Sequence, residues 1–168
     1  MRASANYDET AEGNAKKIRS LILLGCPEVP VQTSMAMYLT NLLKESQSEV
    51  VIAGTGAAIK LMKFADPQNH YLEESMNLDR CIEAIAEGRL DFDLCFAFAH
   101  NDAGITYAAT MSYISKAKLF LVIFGRNAEE ISKTVDFDCH KLVAKAVHNP
   151  TPLKRQIDEV VSWAVSRT

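Results

Sequence analysis

The run Phe92-Asp-Leu-Cys-Phe-Ala-Phe-Ala99 carries almost no polar side chain, then breaks abruptly into His100-Asn-Asp-Ala-Gly104. A strand with one face in water alternates apolar and polar residues. A near-continuous apolar run instead implies burial on both faces, as in a parallel sheet covered by helices on each side. Where such a strand ends and the chain turns into a helix, open α/β sheets bind their ligands. One segment thus predicts both an architecture and a place to look for function.

The rest of the chain repeats the alternation of apolar runs and helix-period segments, which argues for parallel strands joined by crossover helices. Strands are read over 20–26, 50–53, 92–99 and 118–124, with a fifth, less buried strand over 142–147 near a sheet edge. A first helix runs to about Glu45 with Met35, Leu39, Leu42 and Leu43 on its apolar face. A second opens at Gly54-Thr-Gly56 and stops at Asp66-Pro67, because the residue before proline avoids the α region. Residues 67–76 read as a loop or short irregular helix. Asn77 is placed to cap a third helix that stops at Gly88. Further helices are expected over 104–115 and 128–133, and a last one after Thr151-Pro152, with Thr151 as its cap. The expected fold is α/β: a three-layer α/β/α sandwich around a mostly parallel, Rossmann-like sheet of about five strands. Residues 1–17 are expected to be a flexible N-terminal extension, and 18–168 one domain. No internal repeat or interdomain linker breaks the pattern.

Composition narrows the partners. The chain of 168 residues is 48% hydrophobic and 23% charged, with a formal net charge of −3. It is long enough for one well-filled core, and it carries no basic stripe that would suit nucleic acid. Its longest apolar stretches, such as Leu119-Phe-Leu-Val-Ile-Phe124, are too short for a membrane span. The four cysteines, Cys26, Cys81, Cys95 and Cys139, form neither CxxC nor a disulfide framework. A reduced, cytoplasmic protein with no membrane or nucleic-acid partner is the expectation, with Cys81 and Cys95 as buried small hydrophobes.

Five strand ends supply the candidate residues. In Gly25-Cys-Pro-Glu-Val-Pro-Val-Gln32 the thiol of Cys26 precedes a helix, where the helix dipole favours a thiolate. It reads more simply as a half-buried corner filler before Pro27, because no partner base lies nearby in sequence, and Glu28 and Gln32 read most simply as solvent-facing loop residues. Gly54, Thr55 and Gly56 open a helix that could receive an anion. The motif is neither GxGxxG nor a P-loop, so ordinary NAD binding and phosphoryl transfer from ATP are not expected. His100 is a candidate acid/base, with Asn101 and Asp102 as its orienting partners or as simple caps ahead of Gly104. Arg126 follows the next strand and could pair with a carboxylate or phosphate. His148 follows the last one. Cys26, His100 and His148 would make a thiol or soft-metal site if they met. Cys139-His140, whose side chains diverge, is no metal motif, and no metal ligand set is assigned.

The segments Leu24-Gly-Cys-Pro-Glu-Val-Pro-Val-Gln-Thr33, Ala65-Asp-Pro67 with His70-Tyr71, and Phe98-Ala-His-Asn-Asp-Ala-Gly104 resemble a small family of uncharacterised proteins from methanogenic archaea. The resemblance runs from about Ile18 to the C-terminus. It implies a three-layer α/β/α fold and a setting rich in unusual coenzymes, corrinoids, nickel tetrapyrrole and thiol cofactors. It implies no activity, substrate or catalytic residue.

The leading expectation is therefore a binding or accessory protein for a small molecule or cofactor of unknown identity, with its pocket at the strand carboxyl ends. The alternatives are a thiol-dependent group- or sulfur-transfer enzyme using Cys26 and His100, or a protein-interaction subunit presenting Trp163 and Phe137. Many small α/β domains dimerise, so a homodimer is the assembly considered, although the sequence carries no signal for oligomeric state.

Overall fold

The computed structural model describes residues 17–166, so the expected N-terminal extension lies outside the described residues apart from Lys17. In chain order the elements are β1 (Arg19–Leu24), α1 (Val31–Glu45), β2 (Glu49–Gly54), α2 (Gly56–Ala65), β3 (Glu74–Asn77) and α3 (Leu78–Ala86). They continue with β4 (Leu94–Ala99), α4 (Asp102–Ile114), β5 (Lys118–Phe124), α5 (Ala128–Lys133), β6 (His140–Ala144) and α6 (Thr151–Val165). All five strand pairings are parallel, and the order across the sheet is β3-β2-β1-β4-β5-β6. This is the Rossmann order.

The sheet has six strands where about five were expected. The addition is β3, whose first three residues lie inside the segment read as a loop and whose last is the expected cap Asn77. Its four residues, Glu-Ser-Met-Asn, sit at the sheet edge and none is fully buried, so they carry no apolar signal. At the other edge β6 begins at His140 and ends at Ala144, rather than spanning 142–147. Its outward positions tolerate polar residues, which blurs both ends. β1 stops at Leu24, leaving Cys26 in the following loop rather than in the strand. Thr151 is the first residue of α6 rather than its cap; its N–H donates to Asn149 Oδ1 at 3.1 Å. Asn77 caps α3 as expected, accepting from the N–H groups of Asp79 and Arg80.

The two faces of the sheet are packed differently. Toward α1, α2 and α6 point Phe96, Phe98, Phe120 and Phe124, with Leu39, Leu43 and Ile157 from the helices. Phe96 and Phe120 stack with ring centroids 4.8 Å apart. Each fully buried phenyl contributes roughly 2–3 kcal/mol of burial free energy. Toward α3, α4 and α5 point Cys95, Ala97 and Ala99 of β4, the strand that also carries Phe96 and Phe98. These small side chains let α4 come in close. A Cβ built on Gly104, in the first turn of α4, would lie 2.7 Å from Ala99 Cα. Glycine is required there, and the contact seats the start of α4 directly on the end of β4.

Candidate ligand site at the carboxyl edge of the sheet

Strand order reverses direction between β1 and β4. The helix that follows β1 packs on one face of the sheet and the helix that follows β4 on the other. A crevice forms where the two connections part, and it is the expected ligand position in this topology. The residues placed there are those of the β1–α1 and β4–α4 loops.

The β1–α1 loop is tied down from beneath. The carbonyl of Gly25 accepts from Gln32 Nε2 at 3.1 Å and from Thr55 Oγ1 at 3.3 Å. Gln32 is not the solvent-facing loop residue expected from sequence. It lies in α1 and is only 1% exposed. Its Oε1 is buried without a hydrogen-bond partner among the described residues. The signal was present: Gln32 opens the i, i+3, i+4, i+7 stripe completed by Met35, Ala36 and Leu39. A glutamine in an apolar stripe has a polar task, here holding the loop carbonyl.

His100 follows β4 with its side chain 7% exposed. The ring packs against Phe124 at 5.4 Å between centroids. Its Nε2 lies 3.4 Å from Glu28 Oε2 and 3.3 Å from Asn101 Nδ2. Asn101 Oδ1 is already engaged, accepting from the Gly104 N–H at 3.1 Å and capping α4. Its amide nitrogen must therefore face the imidazole. One ring nitrogen thus sits between a donor and an acceptor. Without a proton Nε2 accepts from Asn101; with one it donates to Glu28. That is an arrangement suited to holding or moving a proton. Glu28 was expected to face solvent, and its carboxylate, 64% exposed, reaches both water and the imidazole.

Gly125 closes the far side. It follows β5 with φ at +105°, and a Cβ there would lie 3.6 Å from His100 Cβ and 3.9 Å from Val29 Cγ2. The positive φ favours glycine, while the added Cβ would make only ordinary contacts with these neighbours. Its N–H donates to the Ala146 carbonyl at 2.9 Å, and the Val31 N–H to the Val147 carbonyl at 3.1 Å. The β6–α6 loop is thereby stitched to the same edge.

The other candidates surround this centre. Thr55 caps α2 by accepting from the Ala58 N–H at 3.3 Å. Gly54 packs tightly on Ile59 and Ala58, whereas Cβ atoms built on Gly25 or Gly56 would meet nothing within 4 Å. Asp102 is exposed in the first turn of α4, where its charge complements the helix dipole. Arg126 and His148 are exposed and have no ion-pair or hydrogen-bonding partner among the described residues. Cys26 is exposed, and neither it nor His148 bonds to His100.

Cys81 and Cys95 are buried, as read from sequence. Burial pushes the Cys81 thiol up to about 11 and raises Cys95 further. Among the described residues no three His, Cys, Asp or Glu side chains gather as a metal ligand set, and no helix is long and apolar enough to cross a membrane. Concavities also occur away from the carboxyl edge. One, of about 370 Å³, is lined by Lys118, Phe137, Cys139 and His140 at the amino ends of β5 and β6. Converging hydrogen-bonding groups, rather than volume, distinguish the carboxyl edge. Trp163 and Phe137, the residues an interaction subunit would present, are half-buried, as in ordinary core-edge packing, and among the described residues the exposed large apolar side chains are Leu61, Phe64, Tyr71 and Tyr113.

Comparison with known proteins places these features. A family described as "Domain of unknown function (DUF1890)" matches residues 21–160. The uncharacterized protein MJ0452 of the archaeon Methanocaldococcus jannaschii is 31% identical over 144 residues, which is 84% of this chain and 96% of that protein. The solved structure of MT0777 superposes with a TM-score of 0.76 at 34% identity, covering 86% of this chain and 97% of the other. AnUbiX (PadA1), solved in complex with FMN and dimethylallyl pyrophosphate, reaches a TM-score of 0.54 at 11% identity, over 89% and 93% of the two chains. That last likeness is one of fold alone.

Proposed function

The chain belongs to the DUF1890 family, which carries no assigned activity, and from that premise we propose that it binds a small molecule or cofactor at the carboxyl edge of its sheet. The observation that carries the reading is the meeting of Glu28, His100 and Asn101 on one imidazole nitrogen at the strand-order switch point. Ligands of open α/β sheets bind at such points. Gly25 and Gly56 border open space on the same edge, leaving room for a ligand to approach the backbone. Arg126 lies on the loop after β5 and is a candidate counter-charge for an anionic group. In this reading residues 18–168 act as one domain, in the cytoplasm and as a homodimer.

FMN is a sensible first probe, because a protein of the same fold was solved with it. Native mass spectrometry of anaerobically purified protein, followed by titration calorimetry with FMN and a panel of coenzymes, tests the proposal. A bound mass lost on denaturation, or a titrated ligand whose affinity falls in His100→Ala, is the expected result. A bare native mass with no heat from any coenzyme sinks it.

The second reading is a thiol-dependent transfer enzyme. It draws on one observation, the exposure of Cys26 in the loop that also carries Glu28. It requires the thiol to be brought to the imidazole when substrate binds. Loss of turnover in Cys26→Ser, with ligand affinity retained, would select this reading over pure binding.

A further inference from the structure

Folding alone does not call for a glutamine at position 32. The amide is fixed in orientation: Nε2 donates to the Gly25 carbonyl at 3.1 Å, and the reverse orientation would set two acceptors against each other. Oε1 is left buried with no donor among the described residues. The Thr55 hydroxyl shares the Gly25 carbonyl at 3.3 Å, so its single proton is committed there and does not serve Oε1. A hydrogen bond to a carbonyl contributes modestly to stability, and a buried acceptor without a donor costs more than that. The Gly25 carbonyl already has Thr55. A methionine would fill the same space with neither polar group.

The position of the amide supplies the reason for it. It lies beneath the β1–α1 loop, which also carries Glu28, at the point where strand order reverses. Gly25 borders open space there, since a Cβ built on it would meet nothing within 4 Å. We propose that Gln32 is the specificity-determining residue of the carboxyl-edge site and pairs with an amide or imide edge of the ligand. On binding, the amide leaves the Gly25 carbonyl, which Thr55 keeps, and turns into the crevice. Nε2 then donates to the ligand's carbonyl and Oε1 accepts from the adjacent N–H, so both polar atoms are satisfied. A phosphate or carboxylate offers acceptors only and would leave Oε1 without a donor, so neither suits the inner end of the site. An anionic group on the same ligand belongs at the outer end, with the exposed Arg126. The inference rests on the ligand-binding reading above and gives it a ligand class.

The test is calorimetry on the full chain with two matched pairs of probes, FMN with 3-methyl-FMN and glutarimide with N-methylglutarimide. Methylation removes the N–H and keeps the carbonyls. In at least one pair the unmethylated probe is expected to bind the native chain about tenfold more tightly or better. In Gln32→Met that advantage should disappear, while the methylated probe binds as before. Urea unfolding of the same variant should give a midpoint no lower than that of the native chain. Equal affinity within both pairs, or no binding by either pair, overturns the inference; the ligand-binding reading falls only if no coenzyme of the wider panel binds. An advantage that persists in Gln32→Met places the N–H against another group and overturns it as well. So does a midpoint clearly lowered in Gln32→Met, which would mean that a buried water already serves Oε1 in the free protein.

Discussion

The Nε2 of His100 faces the Glu28 carboxylate across 3.4 Å, although 72 residues separate them in the chain. The contact joins the loops on either side of the strand-order reversal. It makes the protonation of one ring nitrogen a choice between Glu28 and Asn101. In Glu28→Gln the acceptor is weakened and the amide of Asn101 is left as the main partner. Nitrogen NMR of the labelled imidazole is expected to shift toward the tautomer with an unprotonated Nε2. An unchanged tautomer ratio would mean that Glu28 does not act on His100 in solution.

If the edge is the binding site, His100→Ala should lower affinity for the native ligand by about tenfold or more, roughly 1.4 kcal/mol. Arg126→Ala should have a comparable effect only if the ligand is anionic. Calorimetry on the two variants reads this directly. Affinity unchanged in His100→Ala would place the ligand elsewhere.

Gly104→Ala is expected to destabilise the fold by about 1–3 kcal/mol, the usual range for overpacking. Its methyl would meet Ala99 Cα at 2.7 Å, so α4 must shift away from β4. Because Asn101 and His100 lie just ahead of that helix, the same variant should also weaken ligand binding. Urea unfolding alongside calorimetry separates the two effects. A fully stable Gly104→Ala protein would show that α4 moves freely.

Asp66 gives a pH-dependent prediction. Burial alone would raise its carboxyl, but the N–H groups of Leu72, Tyr71 and His70, at 2.8, 2.8 and 2.9 Å, hold it below the usual carboxylate range. The folded chain therefore binds this proton less readily than the unfolded chain. The stabilisation is complete above the unfolded value of about 3.9 and is lost as pH falls through the lower folded value. Asp66→Asn should unfold at lower urea than the native chain at pH 7, and the gap should shrink as pH drops toward that folded value. A gap independent of pH would assign the defect to something other than the charge.

Thiol labelling in the native state should order the cysteines. Cys26 is exposed and reacts first. Cys139 is half-buried with its thiol pushed up by burial, and follows. Cys81 and Cys95 should react only on unfolding, because both are buried and both thiols are raised. Mass spectrometry of partly alkylated protein resolves the order. Early modification of Cys95 would require the sheet to open.

The central layer was legible because burial on both faces leaves a mark in every residue of a strand. β5 matches the reading at both ends, and β4 falls within it. The edges were less legible because half-exposed positions admit polar residues. β3 has no large aliphatic or aromatic side chain beyond Met76, and only its pairing with β2 identifies it. His100 and Asn101 were visible as the polar break after β4. Glu28 was identified as a polar loop residue, but its approach to His100 depends on how two loops fold over a sheet. Spacing along the chain carries no information on that. Asp66 was read as a helix stop before Pro67 and not as a buried acceptor, because its three partners come from the connection that follows.

The parity of the central strand has a consequence for how this protein can change. Facing one helix layer, β4 presents Leu94, Phe96 and Phe98; facing the other, it presents Cys95, Ala97 and Ala99. Shrinking a residue of the first set opens a hole, whereas enlarging one of the second wedges a helix off the sheet. Neighbouring positions thus obey opposite rules. A saturation library across these six residues should split by odd and even position, one register intolerant of loss and the other intolerant of growth.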